Sequence, residues 1–474
     1  MELREQEKSF RKKSWFLDGQ IFYPWERRFD RLITPFEEFI HKQTTGGIIL
    51  MVGSLLALLL ANSPLGKGYE HIINTSISFN VHGWSLERSL VHWINEGLMV
   101  LFFFVVGLEI KREIRVGELS APRQATLPII AAVGGMVFPA LIYHMLNPSG
   151  ECAQGWGVPM ATDIAFCVGA LVLLGRRVPQ QLIMFLVAFA IVDDLGAVLI
   201  IALFYTKHIN FNALALSAAL LLVLATFNLS GVRKGLPYMI AGILLWLALF
   251  YSGVHATIAG ILVALCVPAR ARYKQKLFVA RVQEIMDRFE ASHRPKESIL
   301  SNIEQYSMLQ ALDDELHLTE APLQRMERLL HLPVALLVIP IFALANAGIP
   351  IDLDSLIANF SQSVTLGVLL GLMLGKFIGI TGASWLALRL GFVSLPTGVK
   401  MRHIAGVGIL GGIGFTMSIF IAELSFTGCP EAILMAKTGI ILSSVLSGTL
   451  GYLWLRFSSG EPEGQTSSRL NSTG

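Results

Sequence analysis

Long apolar runs separated by short polar segments dominate the chain. Each run is roughly 17–25 residues long, the length that an α-helix needs to cross the hydrocarbon core of a bilayer. The pattern therefore predicts an all-α membrane protein with about 12 transmembrane helices. The predicted spans lie near 45–61, 94–114, 125–146, 158–174, 182–205, 213–230, 236–251, 254–269, 333–349, 363–388, 404–425 and 432–457.

The polar segments divide the chain into an extension, a first membrane region, an insert, a second membrane region and a tail. These parts are residues 1–44, 45–270, 271–332, 333–457 and 458–474. In the extension, Leu32, Phe36 and Phe39 recur at helical spacing, which predicts an amphipathic helix on the membrane surface. Apolar stripes at the same spacing predict a small helical element in the insert.

One polar segment, at about 75–88, shows the alternation of a strand. Ile77, Phe79 and Val81 alternate with polar residues, and His82-Gly83 can form the turn of a β-hairpin. Lysine and arginine concentrate in cytoplasmic loops of membrane proteins. Here only Lys67, Arg88 and Lys207 fall on the segments opposite the termini. Both termini are therefore predicted to be cytoplasmic and the hairpin to face outward.

Composition agrees with a membrane protein and excludes other classes. Hydrophobic residues make up 53% of the 474 residues and charged residues only 15%, against roughly 25% in soluble domains. The net charge of +3 is too small to indicate a nucleic-acid partner. The four cysteines show no Cys-x-x-Cys spacing, so they predict neither a metal cluster nor a disulfide framework.

The informative residues are the ionisable side chains at membrane depth: Asp163, Asp193, Asp194 and Lys376. Each charge costs about 2.5–3.5 kcal/mol at the centre of an inserted helix. Such groups persist when they are protonated, paired or facing a wet cavity. All three states are useful to a transporter, which makes these residues the candidate functional site.

The surroundings of the aspartates predict different roles. Pro159 and the glycines before it weaken the helix ahead of Asp163, and an interrupted span bares backbone groups that can bind ions. Asp193 and Asp194 are neighbours on a helix and point about 100° apart. One of them can therefore face an ion while the other meets a counter-charge, for which Lys376 is the candidate.

Lys376 follows three members of a stripe of glycines, spaced four residues apart, that lets another helix approach closely. The stripe consists of Gly367, Gly371, Gly375 and Gly379. A short sequence pattern also recurs in two spans that glycines interrupt. Thr162-x-x-x-Phe166 appears again as Thr416-x-x-x-Phe420. Paired broken helices indicate an inverted repeat with the ion site where they cross.

Seven motifs, in order along the chain, resemble the NhaA family of bacterial sodium/proton antiporters. They are Gly107-Leu-Glu109-Ile-Lys111-Arg112-Glu113, Ala161-Thr162-Asp163-Ile164-Ala165-Phe166, Asp193-Asp194-Leu195-Gly196-Ala197, Ser252-Gly253-Val254-His255-Ala256-Thr257, Ala345-Asn346-Ala347-Gly348, Gly375-Lys376 and Gly412-Ile413-Gly414-Phe415-Thr416-Met417-Ser418-Ile419-Phe420. The resemblance implies an inverted-repeat fold with crossed discontinuous helices in spans four and eleven. It also implies a bacterial inner-membrane protein that exchanges protons for Na⁺ or Li⁺ electrogenically.

The resemblance further implies roles for single residues. Asp194, Asp163 and Thr162 correspond to the cation- and proton-binding site, with Na⁺ held at Asp163 and Asp194. Asp193 and Lys376 correspond to an ion pair whose breaking accompanies cation entry. Acidic residues of the cytoplasmic funnel and pH response correspond to Glu109 and Glu113, and His255 matches a position that affects pH dependence. The outer hairpin is similar to the family's homodimer contact.

The chain departs from the simplest family pattern at Glu96, where aspartate is common, and at His331-Leu332-Pro333, where His-Pro-Trp is usual. These departures concern pH regulation rather than the ion site. No cofactor is implied, because oxygen ligands suit a hard alkali cation and the proton gradient supplies the energy. Three alternatives remain open at this stage: a cation channel, a symporter of an organic solute, and a sensor or scaffold built on the insert. An enzyme is not indicated by any motif.

Overall fold

The computed structural model describes residues 43–81, 84–206, 209–270, 275–292, 302–349 and 361–458. These residues are mostly helical and include one two-stranded sheet. The helices are α1 (Gln43–Ala61), α2 (Gly66–Ile73), α3 (Leu90–Arg115), α4 (Pro122–Leu146), α5 (Ile164–Leu173), α6 (Gln180–Phe204), α7 (Phe211–Leu229), α8 (Gly235–Ser252), α9 (Ile258–Cys266), α10 (Gln275–Ala291), α11 (Ile303–Thr319), α12 (Pro322–Asn346), α13 (Ser363–Arg389), α14 (Met401–Leu410), α15 (Phe415–Ser425) and α16 (Pro430–Ser458). The amphipathic helix predicted for the extension and nearly all of the tail lie outside the described residues.

The described residues contain nine stretches of helix long and apolar enough to cross a membrane. The number rises to eleven if two bent pairs each count as one span: α1 with α2, bent by 115°, and α14 with α15, bent by 48°. The segment predicted as a span at 254–269 is α-helical only in α9, which has 9 residues. The prediction of an all-α polytopic membrane protein is thus confirmed, with nine to eleven candidate spans.

The segment with strand-like alternation contains strands β1 (Ser76–Val81) and β2 (Trp84–Ser89). They pair antiparallel, from Ser76 opposite Ser89 to Val81 opposite Trp84. Together, α2 and this sheet form the connection between the end of α1 and the start of α3. Neither outer edge of the two strands is paired within the described residues.

Helices α10 and α11 lie in the predicted insert, but α12 runs without a break from the insert into the ninth predicted span. Pro322 begins α12, where a missing backbone N–H is harmless. Pro333 lies inside it and cannot donate to the preceding turn. The helix widens into a π-turn at Val334–Val338 directly after this proline. The proline therefore deforms the helix instead of ending it.

The tightest helix packing joins α13 to α4. A Cβ atom built on Gly379 would lie 2.2 Å from the carbonyl oxygen of Gly134, and one on Gly134 would lie 2.3 Å from the oxygen of Gly379. Any side chain here would force the helices apart. In contrast, α7 carries widely exposed leucines, such as Leu222 and Leu229, on the surface that faces lipid in a membrane protein. The close-packed interior thus lies around α4, α6 and α13, which carry or support the buried charges.

Candidate functional site

Two interruptions of helix lie against each other inside the protein. The first follows a 3₁₀ segment, Glu151–Met160, and leaves Ala161–Asp163 extended before α5 begins. The second separates α14 from α15 in the glycine-rich segment 411–414. The Asp163 N–H donates to the carbonyl oxygen of Ile413 at 2.7 Å, and the Thr162 hydroxyl donates to that of Gly411 at 3.1 Å. The two interruptions therefore satisfy each other's backbone groups, as an apolar environment requires.

Asp163 is buried at this junction, with 2% of its surface exposed. One carboxylate oxygen caps α5 by accepting from the Phe166 N–H at 3.2 Å. The other accepts from the Thr416 hydroxyl at 2.5 Å and from the Thr416 N–H at 3.1 Å. Thr416 stands in the first turn of α15, whose positive dipole end favours a carboxylate. Asp163 thus lies between the first turns of two helices.

Asp193 and Lys376 form a fully buried ion pair. The Lys376 Nζ atom donates to Asp193 Oδ1 at 2.8 Å and to Oδ2 at 2.7 Å, and neither side chain has any exposed surface. The ammonium also lies 5.7 Å from the centroid of the Phe189 ring, within cation–π range. The Lys376 backbone directly follows a π-turn at Gly371–Gly375, which sets where on α13 the lysine points.

Asp194 is the buried aspartate without a complete set of partners. Only 1% of its surface is exposed, and its Oδ1 atom accepts no hydrogen bond from any described residue. Asp193, Asp163 and Lys376 all lie near enough to act on it electrostatically. A negative charge in such a place is costly unless something offsets it, which makes Asp194 the candidate for taking up a proton or a cation.

The three aspartates and Lys376 therefore share one neighbourhood, with Thr162 between them. Thr162 interacts with Asp193 as well as with the second interruption. Within the described part of the chain, no three His, Cys, Asp or Glu side chains converge to hold a metal ion. A cation at this place would need hydroxyl and backbone oxygens in addition to carboxylates. An all-oxygen site of this kind would suit a hard cation.

Every glycine of the predicted stripe on α13 lies where a side chain would clash. A Cβ on Gly367 would lie 2.7 Å from Asn147 Nδ2, one on Gly371 2.8 Å from Pro159 Cβ, and one on Gly375 2.6 Å from Pro139 Cα. Gly379 meets α4 as described above. The stripe thus seats α13 against α4 and against the segment ahead of Asp163.

Glu109 and Glu113 lie near the end of α3 in a cluster of charged side chains. Arg112 pairs with Glu113 at 3.2 Å and also with Glu327 of α12, while His331 lies 3.5 Å from Glu109. His255 is not part of this cluster, because its Nε2 atom lies 3.1 Å from the carbonyl oxygen of Tyr205. The structure therefore brings two of the three predicted pH-response residues together and places the third elsewhere.

Sequence reasoning did not assign a role to several residues that the structure places at these sites. Thr416 donates a hydrogen bond to Asp163, and the recurring Thr-x-x-x-Phe pattern was the sequence signal that pointed to this threonine. Glu327 and His331 come from α12, more than 200 residues beyond their partner helix, and Glu327 carried no local signal. Arg112 was visible only as part of the motif around Glu113.

Comparisons with known proteins show the family to which the chain belongs. Residues 37–455 match the family model described as Na⁺/H⁺ antiporter 1. The Na⁺/H⁺ antiporter NhaA 1 of Saccharophagus degradans is 51% identical over 437 residues, which cover 92% of this chain and 94% of that protein. The Na⁺/H⁺ antiporter NhaA of Sulfurimonas denitrificans is 49% identical, covering 92% and 98%. The NhaA protein of Dichelobacter nodosus is 40% identical, covering 94% and 97%.

These relatives are named as transporters and not as enzymes, and the matches extend over nearly the whole length of both partners. They confirm the resemblance that the seven motifs indicated. The chain is a multi-pass bacterial membrane protein, and it belongs to the Na⁺/H⁺ antiporter 1 family.

Proposed function

We propose that this protein is an electrogenic antiporter that expels Na⁺ or Li⁺ from a bacterium in exchange for protons. The observation that carries the proposal is the buried carboxylate of Asp194, whose Oδ1 has no hydrogen-bond donor among the residues that the structure describes. A proton and a small cation are the two ways to neutralise it, and they exclude each other. Competition for one carboxylate is sufficient to couple their movements.

Asp163 is the second carboxylate of the proposed site. Thr416 and the α5 backbone already stabilise its negative charge, so it can attract a cation into the interior. Thr162 and the carbonyl groups of the two interruptions supply neutral oxygens. Because two carboxylates can each accept a proton while sharing one cation, the exchange moves net charge.

The ion pair of Asp193 and Lys376 is the proposed coupling element. Lys376 lies close to Asp194 as well as to Asp193. A cation that enters beside Asp194 adds positive charge next to the ammonium and weakens the pair. The strain is carried into α13 at its π-turn, and the site then opens to the opposite side of the membrane by movement of one helix bundle against the other.

The same proposal includes the finer features that the family resemblance implies. The fold has twelve spans with the two interrupted helices crossing at the site, supported by the hydrogen bonds between the interruptions. The protein lies in the inner membrane with both termini cytoplasmic, supported by the lysine and arginine distribution. The cluster around Glu109 and Glu113 regulates activity with pH, and His255 contributes from a separate position.

We also propose a homodimer formed through the hairpin of β1 and β2. A two-stranded sheet leaves backbone donors and acceptors open at both edges, and a second copy can pair with them. Deletion of residues 76–89 should convert the detergent-solubilised protein from dimer to monomer in light scattering. A dimer that survives the deletion would contradict this assignment.

The deciding experiment places the purified protein in liposomes with an imposed pH gradient. Sodium, lithium or potassium is added outside, and a dye reports the pH of the lumen. Sodium and lithium should dissipate the gradient in the wild type, whereas Asp194→Asn should give no response. The matched control Asp287→Asn, on the exposed surface of α10, should behave like the wild type.

Two outcomes are incompatible with the proposal. Normal exchange in Asp194→Asn would remove this carboxylate from the mechanism. No response of the wild type to any of the three cations, in vesicles shown to be tight, would rule out cation/proton exchange altogether.

A further inference from the structure

An apolar groove runs along the outside of the helices that hold the ion site. It lies between α13, the end of α14 and the last three turns of α16. Its volume is about 620 Å³, within the range of roughly 300–1,000 Å³ typical of small-molecule sites. The side chains that define it include Leu374, Phe377, Ile409, Leu450, Trp454 and Phe457.

The groove opens onto the surface that faces the bilayer. Leu450, Trp454 and Phe457 are all exposed, and the apolar surface around them continues along α16. In a protein that spans a membrane, this surface is covered by lipid. A concave, apolar site of this size holds an acyl chain better than the convex surface of a single helix does, because more of the chain's surface is buried.

Positive charge lies at one end of the groove. The Trp454 indole N–H donates to the carbonyl oxygen of Arg402 at 2.9 Å, which fixes Arg402 beside the groove wall. Arg402 is exposed and lies seven residues before Ile409, on the face of α14 that lines the groove. An aromatic ring beside an arginine at the end of an apolar groove fits an anionic phospholipid headgroup.

The floor of the groove touches the structure that positions the ion site. Ser447 lines the groove, is almost fully buried and has a hydroxyl without a partner among the described residues. A Cβ built on Gly412 would lie 2.4 Å from this hydroxyl, so Ser447 packs directly on the second helix interruption. On the other wall, Leu374 belongs to the π-turn just ahead of Lys376.

We infer that this groove is a binding site for an anionic phospholipid, with one acyl chain between α13 and α16 and the phosphate at Arg402. A lipid chain in the groove packs against the π-turn of α13 and against the helix interruption before α15, and it stabilises both. The bound lipid therefore favours the arrangement in which Lys376 and Asp163 are held. The binding itself does not depend on the transported ion, whereas this effect on exchange rests on the proposed antiport.

The test is a titration of the purified protein with phosphatidylglycerol or phosphatidylcholine, followed by native mass spectrometry. Phosphatidylglycerol should bind the wild type at least about fivefold more tightly, the effect of one basic residue near an anionic headgroup. Arg402→Gln should remove roughly that factor. Leu450→Trp, which fills the groove, should abolish the preference, whereas Leu446→Trp on the neighbouring exposed surface of α16 should not.

The position of the bound lipid and its effect on ion exchange are measured in separate experiments. Brominated phosphatidylglycerol should quench tryptophan fluorescence less in Trp454→Phe than in the wild type. Phosphatidylglycerol in proteoliposomes should accelerate exchange in the wild type but not in Leu450→Trp.

Equal affinity for the two lipids, or unchanged binding in Leu450→Trp, would overturn the proposed lipid site. Stronger binding after deletion of residues 459–474 would instead identify the chain's own tail as the occupant. A wild type without exchange would leave the binding results standing and count against the antiport alone.

Discussion

The buried pair of Lys376 and Asp193 gives the sharpest test of how charge is held in this interior. Lys376→Met removes the ammonium and leaves a carboxylate with no exposed surface and no counter-charge. Breaking a buried pair from one side costs about 3–5 kcal/mol, which shifts the ratio of folded to unfolded protein roughly 10²- to 10⁴-fold. The free energy of unfolding, from denaturant titration in mixed micelles, should fall by this amount.

The chain offers a matched control in Lys437, which pairs with Glu423 at 2.7 Å while both side chains stay partly exposed, at 13% and 23%. This second pair is less deeply buried than the first, so Lys437→Met should cost less stability than Lys376→Met. The double variant Asp193→Asn/Lys376→Met carries no unpaired charge and should be more stable than Lys376→Met. If the two lysine variants lose equal stability, or if the double variant is the least stable of all, the reasoning from burial is refuted.

Two further predictions concern packing and cation affinity. Gly379→Ala should lower the free energy of unfolding by about 1–3 kcal/mol, because the added Cβ meets a backbone oxygen of α4 that cannot move aside. The control Gly382→Ala, where the added Cβ has open space, should be neutral. Equal thermal midpoints of the two variants would contradict this prediction. In Thr416→Val, Asp163 loses one hydrogen-bond donor. A hydrogen bond to a charged group contributes about 1.5–3 kcal/mol, so the KM for Na⁺ should rise roughly 10- to 100-fold. Thr449→Val, whose hydroxyl donates only within its own helix, is the control, and an unchanged KM in Thr416→Val would remove the threonine from the site.

The sequence alone predicted most of the spans and the four buried charges of the candidate site, because length and hydropathy report directly on the bilayer. It could not show which face of each span is interior, since the lipid-facing and core-facing sides are both apolar. The predicted span at 254–269, for example, is α-helical over only the nine residues of α9. The position of Glu327 against Arg112 was equally hidden, because that contact depends on how distant helices pack. The roles assigned to the aspartates and Lys376 stay predictions until the exchange experiments are made.

The α13 π-turn was also beyond sequence reasoning. The glycine stripe predicted a close helix contact at regular four-residue intervals. The structure instead widens the helix within the stripe, at Gly371–Gly375, just ahead of Lys376. A π-turn rotates everything after it relative to everything before it, so the turn changes the direction in which Lys376 points relative to Gly367.

The order in which the chain is made has a consequence for the junction of the two interruptions. Asp163 finds its main donors at Thr416, 253 residues later, and Asp193 finds its counter-charge at Lys376, 183 residues later. During synthesis both carboxylates therefore enter the membrane long before their partners exist. Until α13 and α15 arrive, the first half of the protein must keep these groups hydrated or protonated and its helices loosely associated. Assembly of the candidate site is thus also the step that holds the earlier and later helices of the newly made protein together.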